Sequence, residues 1–154
     1  MPHNLQVVLV EPEIPSNTGS IGRLCLATQS HLHLIEPLGF EINDSRLKRA
    51  GLDYWQHLDV SIHASWETFE DSLPEDAPLV FFSKKSDRVF FDHVFVEGSY
   101  LVFGKETRGL PENLLNRASQ QAFRIPQYDD RVRSINLSNA VSVAVYEAIR
   151  QLGP

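Results

Sequence analysis

The sequence contains very little sulfur: among its 154 residues there is one cysteine, Cys25, and one methionine. A lone cysteine cannot form an internal disulfide, which is typical of proteins that work in a reducing compartment, so we expect a cytoplasmic protein. Cys25 falls on the apolar face of a predicted helix, and we interpret it as a core residue rather than a nucleophile. No apolar run approaches the roughly 20 residues that a membrane-spanning helix needs, and residues 1–4 lack the basic and then apolar layout of a signal peptide. We therefore expect no association with a membrane.

Positive charge is also scarce, because 14 lysines and arginines stand against 20 aspartates and glutamates, for a net charge of −6. This balance disfavours nucleic acid as a partner unless a local basic patch exists. Much of the acidic excess lies in one stretch, residues 67–76, and the other segments are closer to neutral. The hydrophobic share of 42% and the lack of repeats are typical of a globular protein, and the length predicts a single domain spanning residues 1–154.

Several common catalytic motifs are missing as well. Gly104 and Gly109 have the spacing of a phosphate-binding P-loop, but Leu110 and Pro111 stand where that motif needs Lys and Ser or Thr. The two glycines still predict that the backbone bends sharply here or approaches a ligand closely. No G-x-G-x-x-G follows the first predicted strand, and there is no G-x-S-x-G, which disfavours a dinucleotide-binding protein and an α/β-hydrolase. His31-Leu32-His33 could bind a metal, yet no further ligands follow at a suitable spacing, so we expect no metal site.

What the chain does contain is an alternation of apolar strands and helical stretches. Strands are predicted at residues 5–10, 31–35, 58–62, 79–82, 100–103 and 122–125. Helices are predicted to begin at Ser16 or Asn17, at Asp44 or Ser45, after Ser65, at Pro111-Glu112 and at Asn136. This order predicts an α/β fold, with a mostly parallel sheet flanked by helices. Ligands of such sheets bind beyond the carboxyl ends of the strands. The loops 83–88, 104–110 and 126–134 follow strands, and they would converge on one site if the last three strands are neighbours.

The predicted C-terminal helix, from Asn136 to Gln151, is apolar around most of its circumference. Val143 and Tyr146 lie off its main apolar stripe, so the helix needs cover on a second side. In a chain this short we expect that cover to be another subunit, with Tyr146 at the contact. The start of the helix is crowded with amides and hydroxyls on Ser134, Asn136, Ser138 and Asn139. Free backbone N–H groups there favour polar ligands, and a well-capped core helix is an equally good interpretation of these residues alone.

Three segments of the chain resemble the motifs of one enzyme family. They are Pro15-Ser16-Asn17-Thr18-Gly19 with Arg23, Phe103-Gly104-Lys105-Glu106-Thr107-Arg108-Gly109-Leu110-Pro111, and Ile125-Pro126 with Arg133-Ser134-Ile135-Asn136-Leu137-Ser138-Asn139-Ala140. Together they look like the three motifs of the SPOUT-class RNA 2′-O-methyltransferases. Further matches at 11–15, 49–54 and 145–148 resemble the short, single-domain subgroup that methylates the wobble nucleotide of tRNA. Lys105 departs from that subgroup, which often has proline there, and the loop 127–133 is slightly longer than usual.

The resemblance implies a fold, a cofactor and an activity. The fold is an α/β sheet whose C-terminal part is threaded into a deep trefoil knot, with S-adenosylmethionine bound in the knot of an obligate homodimer. The activity is methylation of the 2′-hydroxyl of cytidine or uridine at position 34, in the anticodon stem-loop of tRNA. The alternatives are methylation of another tRNA or rRNA ribose and a catalytically inactive, dimeric RNA-binding module. Arg23 and an intact Ser134-x-Asn136 argue against an inactive module.

The resemblance also assigns roles to residues. Those implied as catalytic are Arg23, Asn17 and Ser134. Because a guanidinium group scarcely deprotonates, we interpret Arg23 as a clamp on phosphate and the developing alkoxide, with Asn17 positioning either Arg23 or the ribose. The implied cofactor contacts, mostly through backbone atoms, are Phe82, Gly104, Glu106, Ile125, Ser134 and Asn139. We expect tRNA to bind basic residues, with Arg46, Arg49, Arg108, Arg131 and Arg133 as the main candidates and Lys48, Lys84 and Lys85 as further ones. The resemblance implies no metal.

Overall fold

The computed structural model describes residues 3–154, and the side chains of residues 51–53 lie outside this description. Within that range the protein is built on one sheet of six strands. They are β1 (Gln6–Val10), β2 (His31–Ile35), β3 (Val60–His63), β4 (Leu79–Phe82), β5 (Tyr100–Phe103) and β6 (Ala122–Phe123). Their spatial order is β3-β2-β1-β5-β4-β6, and every pair of neighbours is parallel. The predicted parallel α/β fold is confirmed, and the last three strands are neighbours.

Helices cover both faces of this sheet. They are α1 (Pro15–Thr28), α2 (Ser45–Gly51), α3 (Trp66–Asp71), α4 (Glu112–Arg117) and α5 (Leu137–Leu152). Val7 and Leu9 of β1 share a core with residues of α1 and α5, whereas Val8 and Val10 share a second core with residues of α3 and α4. Because the side chains of a strand alternate between faces, burial on both faces explains why the strand sequences are continuously apolar. Cys25 is fully buried in the first core, where burial raises the pKa of its thiol, so its interpretation as a core residue is confirmed.

The last strand is shorter than predicted, because it ends at Phe123 rather than at residue 125. The backbone of Arg124 pairs instead with the segment that follows β4. Its N–H donates to the carbonyl of Arg88 (2.7 Å), and its carbonyl accepts from the N–H of Phe90 (3.0 Å). Beyond this point the chain leaves the sheet, so Ile125 lies at the exit of the strand rather than inside it. The boundaries of β3 are also shifted, from the predicted 58–62 to Val60–His63.

The C-terminal helix has the predicted start. Asn136 is its N-cap, and the side-chain oxygen of Asn136 accepts from the N–H groups of Ser138 (2.9 Å) and Asn139 (3.2 Å). The buried side of α5 carries small and β-branched residues and packs against α1. The trefoil knot that the resemblance implies for this part of the chain stays a prediction.

The two histidines of β2 belong to a hydrogen-bonded row on one face of the sheet. His31 contacts Asp59 (2.6 Å), and His33 contacts His63 (3.0 Å) and Gln6 (2.8 Å). Burial, aided by the charges of His31 and His63, lowers the pKa of His33 to about 3, so this ring is neutral at physiological pH. Among the side chains of residues 3–50 and 54–154 no group of three or more His, Cys, Asp or Glu residues is arranged to hold a metal ion. No helix in the described part of the chain has the length and apolar character needed to cross a membrane.

Candidate active site

A cavity of about 470 Å³ lies beyond the carboxyl ends of β4, β5 and β6. Its walls come from the three loops that follow these strands and from the start of α5. The lining residues are Phe82, Ser83, Lys84, Lys85, Phe103, Gly104, Lys105, Glu106, Thr107, Arg108, Gly109, Leu110, Leu115, Ile125, Gln127, Arg133, Ser134, Ile135, Leu137 and Ala140. The predicted convergence of the three loops is therefore confirmed, and the physical reason is that parallel neighbouring strands end at the same edge of the sheet.

The lining is apolar at its base and basic at its rim. The rings of Phe82 and Phe103 stack with centroids 4.7 Å apart and an angle of 8° between their planes. Glu106 is the only carboxylate among the described residues of the lining, which also contains five cationic side chains, on Lys84, Lys85, Lys105, Arg108 and Arg133. Five positive charges against one negative charge leave a net charge of +4 here, in a protein whose net charge is −6. The cavity therefore favours an anionic ligand at its mouth and a flat, apolar one at its base.

The loop after β5 forms a tight turn that contains two glycines. The N–H of Gly109 donates to the carbonyl of Lys105 (2.8 Å), and the N–H of Lys105 donates back to the carbonyl of Gly109 (3.2 Å). This pairing folds the chain so closely that a Cβ on Gly104 would overlap the backbone of Gly109 and Leu110. Gly109 itself has φ +72°, a conformation that side chains rarely adopt. The sequence prediction that these glycines mark a sharp bend is confirmed.

The carboxylate of Glu106 caps α1 from a distant part of the chain. It accepts from the N–H groups of Glu13 (2.9 Å) and Ile14 (2.9 Å) and from the side-chain amide of Asn17 (3.2 Å). The prediction that Ser16 or Asn17 caps this helix is wrong: the N-cap position is Ile14, which has no side-chain cap of its own. The carboxylate of Glu106 accepts hydrogen bonds from N–H groups at the start of the helix, as a side-chain cap would, and the helix dipole favours its negative charge there.

Asn17 joins the first and third motif segments. Its side-chain amide donates to Glu106, and its side-chain oxygen accepts from the amide of Asn136 (3.0 Å). Asn17 is buried, and both ends of its amide are used in these two contacts. Asn17 therefore fixes the start of α1, the loop after β5 and the start of α5 relative to one another.

The rim of the cavity is tied together by a second set of hydrogen bonds. Glu13 accepts from the N–H (3.0 Å) and the hydroxyl (2.7 Å) of Thr107, and these bonds hold the pKa of its carboxyl below the usual value. On the other side of the rim, the guanidinium group of Arg133 donates to the carbonyl of Thr107 (3.1 Å), and Lys84 donates to the carbonyl of Arg133 (2.8 Å). Sequence reasoning missed Glu13 and Thr107 as a pair, because they are 94 residues apart and only the fold brings them together.

The structure divides the predicted site residues into two groups. Those that line the cavity are Phe82, Gly104, Glu106, Ile125, Ser134, Arg108 and Arg133, together with Lys84 and Lys85. Those outside its lining are Arg23, Asn17, Asn139, Arg46, Arg49, Arg131 and Lys48. Arg23 is exposed on α1, with its guanidinium carbon 5.4 Å from the centre of the Tyr54 ring. Arg46 is paired with Asp44 (3.0 Å) and Arg131 with Asp129 (2.6 Å). The candidate basic residues thus form two separate sets, one on α2 and one around the cavity.

The chain and its fold belong to a known class of methyltransferases. The chain is a member of the SpoU rRNA methylase family, whose sequence profile matches residues 4–146. Among its relatives, the tRNA (cytidine(34)-2′-O)-methyltransferase of Saccharophagus degradans is 51% identical over 150 residues, which cover 96% of this chain and 95% of the relative. A solved structure concerned with the 2-OH methylation of C/U34 on tRNA is 47% identical, with a TM-score of 0.94 over 99% of this chain and 98% of the other. The SpoU methyltransferase AviRb from Streptomyces viridochromogenes, solved with the cofactor AdoMet, is 26% identical, with a TM-score of 0.82 over 97% of this chain and 61% of its own.

Proposed function

We propose that this protein is an S-adenosylmethionine-dependent tRNA 2′-O-methyltransferase that acts on the ribose of the wobble nucleotide, cytidine or uridine at position 34. The observation that carries the proposal is the similarity to wobble methyltransferases along nearly the whole length of both chains, with a TM-score of 0.94. Residues 1–154 would form one SPOUT methyltransferase domain, and the protein would work in the cytoplasm, where tRNA is its partner. The strongly basic mouth of the cavity supports an RNA substrate despite the acidic net charge.

The cavity fits S-adenosylmethionine in size and chemistry. Its volume of about 470 Å³ is within the range of roughly 300–1,000 Å³ that small-molecule sites occupy. Apolar side chains such as Ile125 and Leu137 suit the faces of an adenine ring, and Lys84 and Arg133 at the rim suit a carboxylate. Phe82, Gly104 and Ile125 stand at strand exits, where their backbone groups would hold the cofactor, with Ser134 on the opposite wall. When bound there, the cofactor supplies an electrophilic methyl group.

The chain's own residues must align the 2′-hydroxyl and stabilise its oxygen as the proton leaves. Arg23 is exposed and makes no salt bridge within the described residues, so its guanidinium group is available to phosphate and to a developing alkoxide. Asn17, lying six positions earlier on the same helix, is anchored to Glu106 and Asn136 and so fixes α1 relative to the cavity. Arg23 does not line the cavity of its own chain. It would therefore act on a ribose at the mouth of that cavity either by reaching toward the mouth from α1 or by being supplied to it by a second subunit.

A homodimer is the second part of the proposal. Val143 and Tyr146 of α5 are 43% and 56% exposed, on the side of the helix that faces away from the sheet. A subunit interface would bury these two side chains and remove the second apolar side of the helix from water. We expect sedimentation equilibrium at micromolar concentration to give the mass of a dimer, and Tyr146→Asp to shift it toward the monomer. A wild-type protein that sediments as a stable monomer would contradict this proposal.

The activity is tested by incorporation of a labelled methyl group into bulk tRNA, followed by mapping of the modified nucleoside. We expect label in 2′-O-methylcytidine or 2′-O-methyluridine at position 34. The matched control is an anticodon stem-loop with a 2′-deoxy sugar at that position, which offers no hydroxyl and should take up no label. Label in another tRNA nucleotide or in rRNA would show that the protein methylates a ribose other than that of position 34. Binding of tRNA without any incorporation would indicate an inactive RNA-binding module.

A further inference from the structure

Tyr128, in the loop that follows β6, is 96% exposed, more than the other large apolar and aromatic side chains that the structure describes as exposed. A single exposed aromatic residue is ordinary on a protein surface and by itself indicates nothing. Two features distinguish Tyr128. The loop that carries it is held in one conformation by hydrogen bonds, and this loop lies beside a basic groove.

The loop from Gln127 to Val132 is closed on itself by hydrogen bonds. The side-chain amide of Gln127 donates to the carbonyl of Val132 (3.3 Å), and the carboxylate of Asp129 accepts from the backbone N–H (3.0 Å) and the guanidinium group (2.6 Å) of Arg131. The next residue, Arg133, is tied to the loops after β4 and β5 through Lys84 and Thr107. The ring of Tyr128 therefore projects into solvent from a structured turn. Because the turn is already ordered, ligand binding loses less conformational entropy than it would with a flexible loop.

The same loop borders a groove of about 870 Å³ that continues from the cofactor cavity. The groove and the cavity share four lining residues, namely Lys84, Ile125, Gln127 and Arg133. The groove lining has four cations, on Lys84, Arg124, Arg131 and Arg133, against the carboxylates of Asp129 and Asp130, for a net charge of +2. Phosphate groups are thus attracted to a surface that displays an aromatic ring next to the reaction site.

We propose that Tyr128 stacks on an unpaired nucleobase of the RNA substrate, at the methylated nucleotide or one of its immediate neighbours, and so positions the ribose at the mouth of the cavity. Proteins that hold single-stranded RNA combine an aromatic platform for a base with cations for the backbone, and the groove offers both. A protein partner would instead need a contiguous apolar patch. Tyr128 is flanked by Gln127, Asp129 and Asp130, and Val132 is the other exposed large apolar side chain among the described residues of the groove lining. The inference rests on the proposed function, because it takes an anticodon loop as the source of the unpaired base.

The test uses the full-length protein, three variants and a set of anticodon stem-loop RNAs. Tyr128→Ala removes the ring, Tyr128→Phe keeps the ring and removes the hydroxyl, and Phe91→Ala deletes an exposed aromatic ring that lines neither the cavity nor the groove. The dissociation constant of each RNA is measured by fluorescence anisotropy. The RNAs are the intact stem-loop and three versions that each lack one base, at the target nucleotide or at one of its two neighbours. Thermal melting and the affinity for S-adenosylmethionine are measured in parallel.

We expect Tyr128→Ala to weaken binding of the intact RNA about tenfold to a hundredfold, the usual cost of losing one base–aromatic stack. Tyr128→Phe and Phe91→Ala should bind within about threefold of wild type, because neither removes the stacking ring. On the RNA that lacks the stacked base, wild type and Tyr128→Ala should bind equally, which identifies the nucleotide. Melting temperature and cofactor affinity should be unchanged, since the ring is exposed and outside the cavity lining.

Three results would overturn the proposal. Tyr128→Ala could bind the intact RNA as wild type does, Tyr128→Phe could lose as much affinity as Tyr128→Ala, or the loss could persist on all three abasic RNAs. A fall in sedimentation coefficient with unchanged RNA affinity would assign Tyr128 to a contact between subunits and would also refute stacking. If the wild-type protein does not methylate the intact stem-loop in the labelled-methyl assay described above, the proposed function fails, and that outcome is separate from any difference in binding between the variants.

Discussion

Replacing Arg23 by alanine is expected to lower the rate of methyl transfer by at least about a hundredfold, the scale of losing one group that stabilises a developing oxyanion. Folding should survive, because Arg23 is exposed and its guanidinium group contacts the face of Tyr54 rather than the core. Affinity for S-adenosylmethionine should also survive, because Arg23 is absent from the lining of the cavity. The measurement is single-turnover transfer to saturating tRNA, with thermal melting and cofactor calorimetry on the same preparation.

Two further variants make this result specific. Arg23→Lys should restore little activity, because a point ammonium does not reproduce the planar fork of a guanidinium group. Arg117→Ala is the matched control, since it removes an exposed arginine on α4 that lies outside the cavity lining. If the methyl-transfer rate of Arg23→Ala is within a few-fold of the wild-type rate, Arg23 is not a catalytic residue. An Arg23→Ala protein that no longer melts cooperatively would show that Arg23 is structural.

A mixing experiment then asks whether the site is shared between subunits. If Arg23 acts on a ribose bound at the cavity of a partner, a dimer of one Arg23→Ala subunit and one subunit with a defective cavity retains one complete site. Mixing two inactive variants should in that case restore activity, up to about half of wild type per mixed dimer. If Arg23 serves its own cavity, every subunit of the mixed dimer is defective and activity stays absent.

Substituting Gly104 by alanine is expected to reduce the affinity for S-adenosylmethionine more than tenfold. The new Cβ would overlap backbone atoms of Gly109 and Leu110, which cannot move aside as the end of a flexible side chain can. Overpacking of this kind costs about 1–3 kcal/mol or more, and the cost falls on the turn that forms one wall of the cavity. Isothermal titration with the cofactor measures the loss directly.

Gly109→Ala is the comparison that separates crowding from backbone strain. A Cβ at Gly109 would meet nothing within 4 Å, so the remaining cost is that of its φ of +72°, about 1–2 kcal/mol. We therefore expect Gly109→Ala to bind the cofactor more tightly than Gly104→Ala and to melt closer to wild type. Equal and near-native affinity of the two variants would remove this turn from the binding site.

Local patterns of the sequence determined much of this protein. Uninterrupted apolar runs such as 79–82 and 100–103 predicted strands, and they suit a sheet that is covered by helices on both faces. The alternation of strands and helices then predicted the parallel sheet, and the edge at which its strands end predicted the meeting of three loops. The glycine spacing at 104 and 109 predicted the sharp turn, since a missing Cβ is a property of the residue itself.

Only the tertiary structure decided how the distant polar groups pair. The cap of α1 comes from Glu106, and the amide of Asn17 is divided between Glu106 and Asn136, contacts that join residues 89 to 119 positions apart. A hydrogen bond forms only when donor and acceptor on separate loops are placed to within a few tenths of an ångström, and no periodicity along the chain records that placement. For the same reason the sequence marked Arg131 and Arg133 as cations but not Tyr128 beside them, because exposure and a neighbouring groove are properties of the folded surface. The sequence shows which polar and aromatic residues each loop contains. Which of them contact one another is determined by the sheet, because it brings loops from distant parts of the chain together.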